Sequence, residues 1–242
     1  MLRIGILSDI HGNLPALEIV LADMSRRSLD AMFCLGDLVG YGAFPNEVTA
    51  AIKASGMPTI MGNYDDGVGF DRDECGCAYR DPGEEERGHR SLIWTRHHTT
   101  TDNKAFLRSL VPEIRREAGG QRLLLVHGSP RRMNDYLFED RPLSSFQRLA
   151  AASNADVIVF GHTHRPYTKL VDGVRFVNAG SVGKPKDGDW RTGYVILQPD
   201  RADEAVEFVR LEYDIDRAMR AIRETDLPRE FADDLRQSAV RG

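Results

Sequence analysis

Five short apolar runs in this chain each lead to a carboxylate, an amide or an imidazole. Arg3 to Leu7 leads to Asp9 and His11, Ala31 to Leu35 to Asp37, and Met57 to Met61 to Asn63. Arg122 to Val126 leads to His127, and Asp156 to Phe160 to His162 and His164. Apolar runs this short, bounded by glycine, read as strands. After the first, Leu14, Leu17, Val20, Leu21 and Met24 recur at helical spacing, with Asn13 as a cap and Pro15 in the opening turn. Pro45 to Ala54 predicts a second helix after the second strand. Repetition of strand, loop and helix predicts an α/β sheet with mostly parallel strands. Ligands of such sheets bind outside the carboxyl ends of the strands, so the five polar termini are expected to share one site.

From Gly62 to about Gly88 the periodicity disappears, and residues 65–88 are expected to form an irregular excursion beside the site. Helical spacing resumes over Arg90 to His98 and Asp102 to Leu110, and again over Ser144 to Ala152. The last third predicts a hairpin turning at Asp172-Gly173, two strands joined at Pro199-Asp200, and a helix over Ile215 to Ile222. Nothing in the composition divides the chain, so one domain over residues 1–242 is expected.

Composition narrows the partners. A formal charge of -5 argues against a protein built to grip a nucleic-acid backbone. No apolar run approaches the ~20 residues of a membrane span. The opening "MLRIGILSDIHG" is too short an apolar stretch for a secretory leader, and a cytoplasmic location is expected. Three cysteines, Cys34, Cys75 and Cys77, offer no disulfide framework. Cys75 and Cys77 alone supply half of a usual zinc tetrahedron.

Any one of the polar termini has an ordinary explanation: Asp9 as a cap, Asn63 in a turn, His127 as a hydrogen-bonded histidine. Four histidines and two aspartates at successive strand ends together form the donor set that holds divalent ions. Two close carboxylates repel and lose hydration on burial, and a bound cation removes that penalty.

"DIH" at 9–11, "GDLVGYG" at 36–42, "GNYD" at 62–65, "VHGS" at 126–129 and "GHTH" at 161–164 together resemble the calcineurin-like metallophosphoesterase superfamily, in its small bacterial phosphodiesterase-like branch. The resemblance implies a four-layer α/β sandwich, two mixed β-sheets flanked by helices, with two divalent metal ions at one edge. By that resemblance Asp9, His11 and His164 hold one ion, Asn63, His127 and His162 the other, and Asp37 bridges them. The ions are expected to be Mn, with Fe, Zn, Ni or Co as alternatives. Two ions ~3.5–4 Å apart clamp a phosphoryl group and lower the pKa of a bridging water, so no protein nucleophile is needed from Ser8, Ser129 or Ser181. The implied activity is metal-dependent hydrolysis of phosphodiesters by a metal-bridging hydroxide. A protein or nucleotide phosphomonoesterase and a non-catalytic metal-binding scaffold subunit stay open. The implied partner is a small phosphorylated substrate, with a nucleotide or nucleic-acid phosphodiester open, no membrane, and a homo-oligomer open.

The departure from the resemblance is Tyr64, where many relatives carry histidine. A phenol, with a reference pKa of about 10, is a poor proton donor near neutrality. Asp65 is retained and is expected to orient Tyr64 or a neighbour. "WTRHH" supplies His98 as a candidate replacement donor, so Asp37, Asn63, Tyr64, Asp65 and His98 are the catalytic candidates. Arg80 is a candidate for meeting phosphate oxygens.

Overall fold

The first strand, Ile4–Leu7 (β1), lies parallel to Ala31–Cys34 (β2), with the helix Leu14–Arg26 (α1) between them in sequence. This arrangement is taken from a computed structural model, which describes residues 2–79, 81–201 and 205–237. Asn13 starts α1 by accepting the Ala16 amide at 3.2 Å. Leu17, Val20 and Met24 then fall on its buried face. Pro45–Ser55 (α2), Asn63–Gly69 (α3), Pro82–His98 (α4) and Thr101–Ser109 (α5) follow.

Glu113–Ala118 (β3) and Gln121–Val126 (β4) form a hairpin, and Leu143–Ser153 (α6) leads to Val157–Phe160 (β5). Tyr167–Val171 (β6) and Val174–Asn178 (β7) turn at Asp172 and Gly173, whose φ angles of 49° and 80° are the left-handed pair that a two-residue hairpin requires. Thr192–Leu197 (β8), Val206–Leu211 (β9), Ile215–Arg223 (α7) and Glu230–Gln237 (α8) complete the order.

Two mixed sheets result, β2-β1-β8-β9 and β3-β4-β5-β7-β6. Alternation decides which side chains meet between them. Ile4, Ile6, Phe33 and Leu35 from the first sheet join Leu123, Leu125, Val157, Val159 and Val177 from the second in one buried layer. Burying each such side chain stabilises by about 1.5–3 kcal/mol relative to exposure. The opposite face of the first sheet packs with α1, α2, α7 and α8, and that of the second with α6. This is the α/β architecture of two mixed sheets flanked by helices.

The differences from sequence expectation are local. Residues 57–61 form only isolated bridges, Thr59 with Cys34 and Ile60 with Val111. The irregular excursion is shorter than 65–88, because α3 occupies its start and α4 begins at Pro82. Asp81 caps α4 by accepting the Glu84 amide at 2.9 Å, and Pro82 takes the first helical position. Cys75 and Cys77 are joined as a disulfide, against the expectation that no cysteines pair, while Cys34 is free and buried. Arg80 lies outside the described residues. No helix among the described residues is long and apolar enough to cross a membrane.

Candidate dinuclear metal site

The strand ends converge. Asp9, His11 and His164 form one buried cluster, and Asp37, His127 and His162 a second, with ligand atoms in each cluster within 4.8 Å of one another. Five of these six residues have left-handed backbones: Asp9 (φ 53°), His11 (49°), Asp37 (53°), His162 (66°) and His164 (59°). Such conformations cost of order 1–3 kcal/mol each at non-glycine residues. They persist because neighbouring loops hold them: the Ile10 and His11 amides both donate to Asp37 O at 2.9 Å, and Gly183 N donates to Asp9 O at 3.0 Å. Close approach also demands Gly62 and Gly161, since a Cβ on the first would collide with Asp37 and on the second with Ser8 and Asp9.

Each carboxylate has one oxygen anchored and one left over. Asp9 Oδ2 accepts from Ser8 Oγ at 2.6 Å and from the His162 amide at 2.9 Å. Its Oδ1 is buried without a hydrogen-bond partner, 3.3 Å from His164 Nε2. Asp37 Oδ1 accepts the Tyr64 amide at 2.8 Å. Its Oδ2 stands 3.6 Å from His11 Nε2 and 3.4 Å from His127 Nε2, between the two clusters. That is the position a bridging ligand needs.

The imidazoles are set in the same way. Nδ1 of His11 donates to Val39 O at 3.0 Å, that of His127 to Leu35 O at 2.8 Å, and that of His164 to Lys184 O at 2.6 Å. A neutral ring donating from Nδ1 presents a bare lone pair at Nε2. His11 Nε2 and His164 Nε2 then face each other at 3.1 Å, an arrangement of two acceptors that calls for a cation between them. His162 Nε2 is likewise buried without a partner. Asn63 donates from Nδ2 to Cys75 O at 3.0 Å, which turns its Oδ1 toward His127 Nε2 at 3.1 Å. Orphaned oxygens, opposed lone pairs and a mixed nitrogen and oxygen donor set fit divalent metal ions.

The calcineurin-like phosphoesterase superfamily domain matches this chain over residues 2–202. The chain belongs to that superfamily. An uncharacterized protein of Methanocaldococcus jannaschii, MJ0912, is 33% identical over 243 residues, 93% of each chain. Phosphodiesterase YfcE of Escherichia coli is 27% identical over 192 residues, which are 78% of this chain and 84% of that protein. Among solved structures, a metallophosphoesterase from Sphaerobacter thermophilus has a TM-score of 0.79 at 28% identity, covering 98% of this chain and 99% of that one. The hypothetical protein PH1004 from Pyrococcus horikoshii OT3 has a TM-score of 0.83 at 22% identity, with 97% and 98% covered, a likeness of fold alone.

In this member of the superfamily the remaining candidates divide. Asp65 is fully buried under the site, where it accepts the amides of Asp37 at 2.7 Å, Leu38 at 2.9 Å and Gly62 at 3.0 Å. It shapes the loops and does not orient the Tyr64 hydroxyl. Tyr64 lies against His11, with ring centroids 5.5 Å apart, and its hydroxyl makes no direct hydrogen bond of normal geometry. His98 is not brought to the centre. It is exposed at the end of α4, its ring stacked on Trp94 at 4.0 Å and its Nδ1 bonded to Trp94 O at 2.7 Å. One helical turn of spacing thus satisfies it locally.

Sequence reasoning missed the residues that steady the ligands. Ser181 Oγ donates to Asp9 O at 2.7 Å. Tyr41 meets His11 edge-on at 4.9 Å, and Tyr136 lies on His162 at 4.0 Å. Tyr41 sits inside the "GDLVGYG" stretch, but Tyr136 carries no local sequence signal.

Charge at the centre predicts a proton linked to metal loading. In the metal-free protein, burial opposes a charge on His127, but Asp37 and Asp9 outweigh it and push His127 up to about 10. Burial pushes His11 and His162 down to about 3, so both are already neutral. Because His127 is raised from 6.5, its charge stabilises the metal-free fold fully below pH 6.5, and that contribution is lost as pH rises through about 10. Loading metal at pH 7 is therefore expected to release about one proton from His127, with affinity at that half rising roughly tenfold per pH unit across this window. Calorimetry in two buffers of different ionisation enthalpy measures it; identical heats in both would refute the assignment.

Proposed function

We propose that this protein is a metal-dependent phosphodiesterase acting on a small phosphorylated substrate, with Mn²⁺ as its working ion and Asp37 shared between two ions. The observation that carries the diester preference is Tyr64, buried beside His11 where a proton-donating imidazole is absent. Burial, with Tyr41 and Tyr79 nearby, pushes the Tyr64 phenol well above its ordinary pKa, so it stays protonated and gives hydrogen bonds only. His98, turned onto Trp94, supplies no substitute.

Divalent ions held by the two clusters supply Lewis-acid charge to the phosphoryl oxygens and lower the pKa of the attacking water. The chain's own residues do the positioning. With two divalent ions held there, Asp9 and Asp37 would set two negative charges against four positive ones, and one hydroxide would bring the net charge facing the substrate to about +1. A diester carries one negative charge and matches; an ionised monoester carries close to two. The phenols of Tyr41, Tyr64 and Tyr136 border the imidazoles with uncharged surface. The name of the Escherichia coli relative, a phosphodiesterase, supports the same reading.

The test is paired hydrolysis of bis(p-nitrophenyl) phosphate and p-nitrophenyl phosphate by chelator-stripped protein reloaded with Mn²⁺. The diester is expected to be favoured by kcat/KM, and Tyr64→His is expected to narrow the ratio by about tenfold through an imidazole donor. Preference for the monoester in the unaltered protein would replace this reading with a phosphatase.

A further inference from the structure

The Cys75-Gly76-Cys77 loop belongs to no element of the sheet, yet it grips one of the candidate metal ligands. Asn63 Nδ2 donates to Cys75 O at 3.0 Å and lies 3.2 Å from Cys77 Sγ. Both amide hydrogens are directed into this loop. That leaves Oδ1 as the end of Asn63 that faces His127 Nε2. An amide can ligate a metal only through oxygen, so the loop selects the ligating orientation.

The loop is itself fixed at several points. A disulfide joins Cys75 to Cys77, Gly76 takes a left-handed φ of 65°, and Asn134 Nδ2 donates to Gly76 O at 3.1 Å. One residue further on, the Ala78 amide donates to Tyr136 Oη at 3.4 Å, and the Tyr136 ring covers His162. The same segment thus touches Asn63 directly and His162 through Tyr136. Both belong to the same half of the centre as His127. The half built from Asp9, His11 and His164 has no hydrogen bond to this loop among the described residues.

We infer that the Cys75–Cys77 disulfide loop is the positioning element for Asn63, and that its reduction selectively weakens metal binding at the Asn63, His127 and His162 half of the centre. The inference rests on the reading of Asn63 as a metal ligand. Reduction by a dithiol breaks the sulfur–sulfur bond and places one hydrogen on each cysteine, while the donor gives two electrons and two protons and closes to its own cyclic disulfide. Two unbonded sulfurs need van der Waals separation, so reduction releases the cross-link that fixes the Cys75 carbonyl and the Cys77 sulfur against the Asn63 amide. Access for the donor exists: a cavity of about 390 Å³ is lined by Cys75, Gly76 and Cys77 together with Tyr79 and His89.

The test begins with thiols counted on denatured, unreduced protein. One per chain is expected, from Cys34, and three after dithiothreitol. Metal-free protein in each state, freed of reductant by anaerobic gel filtration, is then titrated with Mn²⁺ by electron paramagnetic resonance. The oxidised protein is expected to bind two ions. After reduction one Kd is expected to rise about 10–100-fold, the range for losing a group that orients a ligand, while the other stays unchanged. The Cys75→Ser, Cys77→Ser double variant is expected to match the reduced protein and to ignore dithiothreitol; should it not fold, reduced unaltered protein carries the test alone. Three thiols at the outset, equal Kd values in both redox states, or tighter binding after reduction would each overturn the inference. Failure of the oxidised protein to bind a second ion would instead overturn the reading of Asn63 as a ligand.

Discussion

Replacing Asp37 by alanine is expected to leave no more than one metal ion per chain and to lower diester turnover by about a hundredfold or more. The expectation follows from where its two oxygens lie. Oδ1 takes the Tyr64 amide at the start of α3, and Oδ2 stands between His11 and His127. Removing the side chain deletes the carboxylate oxygen that stands 3.6 Å from His11 in one cluster and 3.4 Å from His127 in the other, so the clusters lose that shared ligand. Two positive ions without a shared anion repel more strongly, which lowers the affinity of the second. Elemental analysis after exhaustive dialysis reads the metal loss directly. Two retained ions would contradict the bridging role.

Asp65→Ala is expected to destabilise the fold by about 3 kcal/mol or more, a drop in Tm on the order of 10 °C. Its carboxylate is the acceptor for three amides, those of Asp37, Leu38 and Gly62, in a region closed to water. Alanine leaves all three donors without that partner, and each unsatisfied buried donor costs about 1–3 kcal/mol. Burial and the neighbouring Asp37 push Asp65 up to about 7, while the Gly62 and Leu38 amides act against that push. Asp65→Asn keeps one acceptor oxygen and turns an NH₂ group toward the remaining amides, so it is expected to recover only part of the loss. Thermal unfolding of metal-free protein separates this effect from metal binding. An unchanged Tm for Asp65→Ala would show that water or backbone rearrangement satisfies the loop.

What could be read beforehand follows from which interactions are local. The apolar strands and the polar residues at their ends are consecutive in sequence, so Asp9, Asp37, His127 and His162 were visible as strand termini. α1 was equally legible, because Asn13, Pro15 and the Leu17, Val20, Met24 face all lie within one segment. β3 was not. Of its residues, Glu113 to Ala118, only Ile114 and Ala118 pack against the layer between the sheets, and Arg116 between them on the same face breaks the apolar alternation of this edge strand. α3 was hidden by two glycines within seven residues, and its start depends on Asp65 reaching back to the Gly62 amide.

The site shows the same limit. The motif order placed the ligand types, but the left-handed backbones at Asp9, His11, Asp37, His162 and His164 are imposed by contacts between loops far apart in sequence. The grip of the Cys75 loop on Asn63 and the Tyr136 ring on His162 are tertiary in the same sense. His98 is held on its own helix for the opposite reason. A partner one turn back on its own helix, Trp94, was available without any tertiary contact.

The central claim is a two-ion centre shared through Asp37, and metal stoichiometry tests it most directly. Chelator-stripped protein is titrated with Mn²⁺ while bound metal and bis(p-nitrophenyl) phosphate hydrolysis are followed together. Two ions per chain, with hydrolysis developing as the second site fills, is the predicted result. Saturation at one ion, or full hydrolysis with a single ion bound, would contradict it.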